Sequence, residues 1–201
     1  YREFFVLTPE RGARYDCDPA DSLSAHAERR GVSPVEAYVD LCVETDGAVI
    51  LNWPVLNQDF GVIAEMLQHP LMLLGLADAG AHVGQILDAS QPTFFLSYWV
   101  LERGLLPLEE GVRRLTSDTA AFAGFADRGQ LAPGFAADVN VIDLDRLGLP
   151  LPTYVHDFPG GAGRFVQRAE GYRTTLVNGE PFMVDGEHTG ALAGTVLRPG
   201  S

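Results

Sequence analysis

One stretch constrains this chain more than any other: Leu71-Met72-Leu73-Leu74-Gly75-Leu76-Ala77-Asp78-Ala79-Gly80-Ala81-His82. Its first six residues are apolar apart from one glycine and show no helical period. A run of that length and kind reads as a strand buried on both faces, as in a parallel sheet. Directly after it come a carboxylate, Asp78, and four residues on an imidazole, His82, with Gly80 between them. Parallel α/β folds place their chemistry at the C-terminal ends of strands. Asp78 is therefore the first candidate for a functional residue. A helix N-cap aspartate is the alternative that this stretch alone leaves open.

The neighbouring segments fit an α/β reading. Ser22 to Arg30 has a helical pattern, with Leu23 and Ala27 one turn apart and Gly31 as its stop. Ser33-Pro34-Val35-Glu36 carries an N-cap serine, a proline at the first helical position and a glutamate at the capping-box position. The face expected to be buried on that helix is Val35, Tyr38, Val39, Cys42 and Val43. Glu3 to Leu7 and Ala48 to Trp53 read as strands, and Gln58 to Gln68 as a helix ended by His69-Pro70. Strand, helix and strand from Ala48 to Leu76 then predict a right-handed βαβ unit. Phe94 to Glu102 and Pro107 to Phe122 are two further helices.

The character of the chain changes near Phe125. Beyond Asp127 the periodicity is that of strands: Phe135 to Leu144, then Arg173 to Val177 and Pro181 to Val184 joined by Asn178-Gly179 as a type I′ hairpin. Asp185-Gly186 marks another turn, and Gly148 to Gly171 is a Pro- and Gly-rich excursion. The expected division is residues 1–124 and residues 125–201.

Composition narrows the partners. The 201 residues carry a net charge of −13. An acidic chain lacks the cationic surface that phosphate backbones require, so no nucleic acid is expected. No apolar run approaches the roughly 20 residues of a membrane helix. Cys17 and Cys42 form neither a metal-type spacing nor a disulfide framework. The expected setting is the reducing cytoplasm. The chain opens at Tyr1 with no signal-peptide pattern, which predicts a piece of something longer or a chain that has lost a leading segment.

Four pieces together carry a resemblance. They are Gly75 to His82; Leu108-Glu-Glu-Gly-Val-Arg-Arg-Leu-Thr116; Asp127-Arg-Gly-Gln-Leu-Ala-Pro-Gly134 with Asp138 to Asp143; and Leu176-Val-Asn-Gly179 with Gly186 and Thr189 to Gly194. In order and spacing the chain resembles the C-terminal part of an amidohydrolase-superfamily enzyme, and within it the N-acyl-D-amino-acid deacylase, or D-aminoacylase, group. The resemblance implies an α/β fold, the C-terminal portion of a (β/α)8 metal-dependent hydrolase barrel followed by a small β-sandwich domain. It implies that Asp78 ends the last barrel strand, touches a metal and takes a proton from the attacking water. Zn2+ is the implied cofactor of a full-length parent. The family's His-x-His pair is absent from the five histidines here, so most metal ligands would lie outside this chain. A small-molecule amide is the implied substrate, and a homo-oligomer is a possible assembly.

The remaining candidates have bland alternatives beside them. His82 either points into the site or is a loop histidine. Arg164 and Arg168 either grip a substrate carboxylate or belong to an Arg-rich surface. Gln91 is the polar candidate for a substrate contact in Asp88-Ala-Ser-Gln91-Pro92-Thr93, where the resembled group carries a His-Pro-Arg segment and this chain has no arginine. His69 is expected to cap a helix end, His156 to lie in a surface turn, and His26 and His188 to be structural or exposed. Gly160, Gly161 and Gly163 do not follow a strand and open a helix, so a phosphate loop is not expected. Two functions follow: a metal-dependent hydrolase of N-acyl amino acids or related small amides, as part of a longer chain, or a non-catalytic binding or assembly module that lacks the metal site.

Overall fold

The computed structural model describes residues 2–75 and 77–198, and it divides into two compact units, Tyr1–Met66 and Leu67–Ser201. In the first unit, strand β1 (Phe5–Leu7) pairs with β2 (Ile50–Asn52), and helices α1 (Leu23–Arg30) and α2 (Pro34–Glu44) lie between them in the chain. The helix ends follow the sequence closely. Ser22 Oγ accepts from the Ala25 N–H at 3.2 Å, and Ser33 Oγ from the Glu36 N–H at 3.2 Å. Gly31 closes α1 in the left-handed conformation, at φ 69°. Val6, Leu23, Ala27, Ala37 and Leu41 form the core, with Phe4, Val32, Val49 and Leu51 packed against it.

Two expectations fail in this unit. The β1–β2 pair is antiparallel, with Val6 opposite Leu51, so these strands are not neighbours in a parallel barrel. Helix α2 buries Ala37 and Leu41, and leaves Val35, Tyr38, Val39 and Val43 exposed. The small side chains of Ala27 and Ala37 let α1 and α2 approach closely, and that contact selects the buried face.

The second unit begins within α3 (Phe60–Gln68). Beyond it the expected central strand is not formed. Leu71 is a turn residue, 87% exposed, and residues 72–75 have no regular structure, while Leu76 lies outside the described residues. An apolar run becomes a strand only where a neighbour satisfies its backbone groups. Among the described residues no strand lies alongside residues 71–75. Among the described residues β2 pairs only with β1, so the predicted right-handed βαβ unit is not formed there.

An irregular segment, residues 77–90, leads into α4 (Gln91–Phe94), which widens into a π-helix over Phe95–Glu102. Phe95, Leu96, Tyr98, Trp99 and Val100 of this stretch are buried. The expected helix from Pro107 to Phe122 is two helices, α5 (Leu108–Leu115) and α6 (Ser117–Phe122), broken at Thr116. The buried positions of α5 are Gly111 and Arg114, while Val112 is exposed. Arg114 is held by Glu110 at 3.0 Å and reaches the carbonyl of His69 at 3.4 Å.

The rest is β-structure with two single 3-10 turns. Strands β3 (Val139–Ile142), β6 (Tyr172–Val177), β7 (Glu180–Val184) and β8 (Glu187–His188) form one antiparallel sheet in the order β3-β6-β7-β8. Asn178 and Gly179, at φ 51° and 82°, make the predicted I′ turn. Strands β4 (Thr153–Val155) and β5 (Arg164–Val166) form a separate two-stranded ribbon.

Candidate active site

Asp78 lies in the irregular segment that follows the apolar run. It caps no helix, because the next helix, α4, starts at Gln91. Its carboxylate is exposed and has no hydrogen bond or ion pair among the described residues. Gly80, at φ 95°, lets the chain reverse just beyond it. His82 sits on the same turn in the left-handed conformation, at φ 47°. Its carbonyl accepts from the N–H groups of Gln85 at 2.7 Å and Ile86 at 3.0 Å, and its ring is exposed. Gln91, half-buried, opens α4 with its N–H donating to the Asp88 carbonyl at 3.2 Å. Asp78, His82 and Gln91 therefore belong to one continuous stretch whose shape is set by turns rather than by a sheet.

The β4–β5 ribbon docks on that stretch. The Phe165 N–H donates to the Val83 carbonyl at 2.9 Å. Tyr154, opposite Phe165 in the ribbon, brings its hydroxyl to Gly84: a Cβ built there would lie 3.4 Å from it. This contact was not legible beforehand. Its only trace in the sequence is an aromatic in Tyr154-Val-His-Asp157 facing a glycine at 163 across a hairpin.

The two arginines part company. Arg164 makes two parallel hydrogen bonds to Asp157, at 2.8 and 2.7 Å, and lies 5.3 Å from the centre of the Phe158 ring. That pairing holds the Asp157 carboxyl below its ordinary range and raises the guanidinium. Arg168 bonds Glu187 at 3.0 Å and the Gly186 carbonyl at 3.3 Å. It lines a shallow cavity of about 380 Å³ with Tyr172, Thr175, Met183, Glu187 and His188, which contains none of Asp78, His82, Gln91 or Arg164.

The other histidines have local duties. His69 Nδ1 accepts from the Leu71 N–H at 3.2 Å, and His188 Nδ1 from the Gly190 N–H at 2.8 Å. His156 Nδ1 lies 3.0 Å from the Gly161 carbonyl. His26 is half-buried on α1, and burial first, then Arg29 and Arg30, disfavour its protonation. Among the described residues no group of three or more His, Cys, Asp or Glu side chains is placed to hold a metal ion. No helix among them is long and apolar enough to cross a membrane.

Residues 21–183 match the model of the Amidohydrolase family, and the chain belongs to that family. Within it, the chain is similar to deacylases of D-amino-acid derivatives. It is 36% identical over 102 residues to the D-aminoacylase of Alcaligenes xylosoxydans xylosoxydans, across 51% of this chain and 19% of that protein. It is 32% identical over 154 residues to an N-acyl-D-glutamate deacylase of the same organism, across 70% of this chain and 30% of that protein. An uncharacterized protein of Mycobacterium tuberculosis is 28% identical over 161 residues, 73% of this chain and 25% of that protein. A crystal structure of D-aminoacylase shares the fold at TM-score 0.51 and 23% identity, covering 94% of this chain and 36% of that one. A D-aminoacylase mutant in complex with CuCl2 superimposes at TM-score 0.52 and 26% identity, covering 96% of this chain and 37% of that one. The matched regions span 19%, 25% and 30% of these three curated relatives.

Proposed function

We propose that this chain is part of a hydrolase that cleaves the amide bond of N-acyl amino acids or related small amides, with Asp78 as its proton-handling carboxylate. The observation that carries the reading is the place of Asp78: an exposed carboxylate just past the apolar run, beside a turn glycine, in a chain of the Amidohydrolase family. The names of two relatives, D-aminoacylase and N-acyl-D-glutamate deacylase, support the substrate class.

The chemistry needs a base and then an acid at one place. A carboxylate within hydrogen-bond reach of a water takes one of its protons as the oxygen attacks the acyl carbon. The same group returns that proton to the nitrogen as the C–N bond breaks, releasing a carboxylic acid and an amine. His82, on the same turn, is the candidate to contact the developing oxyanion or the substrate. Gln91 is the candidate polar contact for the acyl-amino-acid portion. Arg164 is occupied by Asp157 and Arg168 by Glu187, so a substrate carboxylate would have to displace one of these pairs.

Zinc, implied by the resemblance, does not find a complete site among the described residues. Asp78 offers one ligand, and three protein ligands are the minimum for a catalytic site. The steps above are therefore assigned to this chain's own groups alone. The same observation favours a second reading for the 201 residues taken by themselves, a non-catalytic binding or assembly module.

One experiment separates the two. The 201-residue chain and the longest encoded chain that contains it are assayed side by side on N-acyl-D- and N-acyl-L-amino acids, with metal analysis of each. Turnover by the longer chain that is lost in its Asp78→Asn variant supports the hydrolase. Turnover unaffected by that change removes Asp78 from the mechanism, and no turnover from any encoded length favours the module.

A further inference from the structure

The turn that carries Asp78 and His82 has no sheet of its own to hold it among the described residues. Something else must fix its shape if those side chains are to meet a substrate reproducibly. The β4–β5 ribbon is what touches it, through the Phe165 N–H to Val83 carbonyl bond of 2.9 Å and the Tyr154 hydroxyl over Gly84.

The ribbon is unusually well braced for a Gly- and Pro-rich excursion. Tyr154 and Phe165 face each other across the strands edge to face, with ring centres 5.0 Å apart. His156 also meets Tyr154 edge to face, with ring centres 5.3 Å apart. The loop end is closed by the Asp157–Arg164 pair and by His156 Nδ1 at the Gly161 carbonyl. Gly163 is what permits the arrangement. A Cβ there would lie 2.2 Å from Cε1 and 2.6 Å from Cζ of the Tyr154 ring. Any other residue would force the ring away from the turn.

We propose that the β4–β5 ribbon is a positioning element for the Asp78–His82 turn, with Tyr154 and Gly163 as its determining residues. Its backbone bond to Val83 and the Tyr154 hydroxyl over Gly84 hold the turn in one conformation and so set how Asp78 is presented. The docking is independent of any catalytic role for Asp78. Its consequence for turnover rests on the hydrolase reading given above.

The test has two arms. In the first, amide hydrogen exchange is measured on the 201-residue chain and on its Gly163→Ala, Tyr154→Leu and Tyr154→Phe variants. Gly163→Ala and Tyr154→Leu should speed exchange across residues 77–90 by about tenfold or more, while β6 and β7 keep wild-type protection. Tyr154→Phe keeps the ring packed on Phe165 and loses only the hydroxyl over Gly84, and should speed exchange at residues 77–90 less than Tyr154→Leu does. If Gly163→Ala unfolds the sheet as well, Tyr154→Leu decides. Wild-type exchange at residues 77–90 in a folded Tyr154→Leu protein overturns the proposal. In the second arm, the active encoded chain carries the same changes. Tyr154→Leu should lower kcat about tenfold and leave KM within about twofold, with Tyr154→Phe in between. If Asp78→Asn abolishes turnover and Tyr154→Leu leaves kcat unchanged, the positioning role fails and the hydrolase reading stands. If Asp78→Asn has no effect, the hydrolase reading fails, and the exchange arm still decides the ribbon's role.

Discussion

Thr93 and Tyr172, 79 residues apart in the chain, meet hydroxyl to hydroxyl at 3.1 Å. The contact ties the start of α4 to the start of β6, and Thr93 is buried. Removing either hydroxyl leaves the other without its partner, at a cost of about 1–3 kcal/mol. Removing both, as Thr93→Val with Tyr172→Phe, should cost less than the two single changes added together. Urea melts of the four proteins give the coupling. Strict additivity would show that the bond contributes nothing.

Gly111 on α5 lies against Val100 of the π-helix. A Cβ at 111 would sit 2.6 Å from Val100 Cγ2, and Val100 is buried and branched, so it cannot swing aside freely. Gly111→Ala should therefore destabilise the protein by about 1–3 kcal/mol, although alanine is the better helix former. Thermal denaturation checks this. A paired Val100→Ala change should restore part of the loss.

Asp78→Asn in the active encoded chain should lower kcat by about a hundredfold or more, the lower end for loss of a general base. Steady-state kinetics on an N-acyl amino acid measures it. A rate within a few-fold of wild type would leave Asp78 with no catalytic task.

Cys17 should be a slow thiol. Burial first, and Asp16 beside it, push its pKa up to about 11 from an ordinary 9.0. The proton is held more tightly in the fold than in the unfolded chain. The associated stabilisation is present below pH 9.0 and fades as the pH rises through about 11. At pH 8, alkylation of Cys17 should run about a hundredfold slower than that of an unstructured cysteine peptide. Site-resolved mass spectrometry after iodoacetamide gives the rate, and a peptide-like rate would refute the assignment.

Self-association of the 201-residue chain is a further proposal, drawn from its apolar surface. Val35, Val39 and Val43 share one face of α2, and Trp53, Val55, Leu56 and Leu71 are also exposed. Apolar patches beyond a few hundred Å² usually find a partner. Light scattering at micromolar concentration should show species larger than a monomer, and Val39→Lys with Val43→Lys should reduce them. A monodisperse monomer would refute the proposal.

Features that depend on a few adjacent residues were legible in the sequence. Ser22, Gly31 and Ser33 mark the helix ends because capping satisfies backbone groups within one turn. Asn178-Gly179 makes its hairpin turn because both residues tolerate positive φ. Asp78 and His82 stand out by their place after an apolar run, and the structure carries both on one exposed turn. Tertiary contacts decided the rest. Leu71 to Gly75 has the composition of a buried strand, but a strand needs hydrogen-bonding neighbours, and its own sequence cannot supply them. On α2, the apolar period pointed to Val35 and Val39, whereas the close approach of α1 chose Ala37 and Leu41. Arg164 could have served a substrate or a neighbour, and the hairpin that brings Asp157 opposite it gives it to the neighbour. The contact of Tyr154 with Gly84 joins segments that are 70 residues apart, and only the folded chain brings them together. Local rules fix what a residue can do with its immediate neighbours. Which distant group it meets depends on backbone paths that no short stretch encodes.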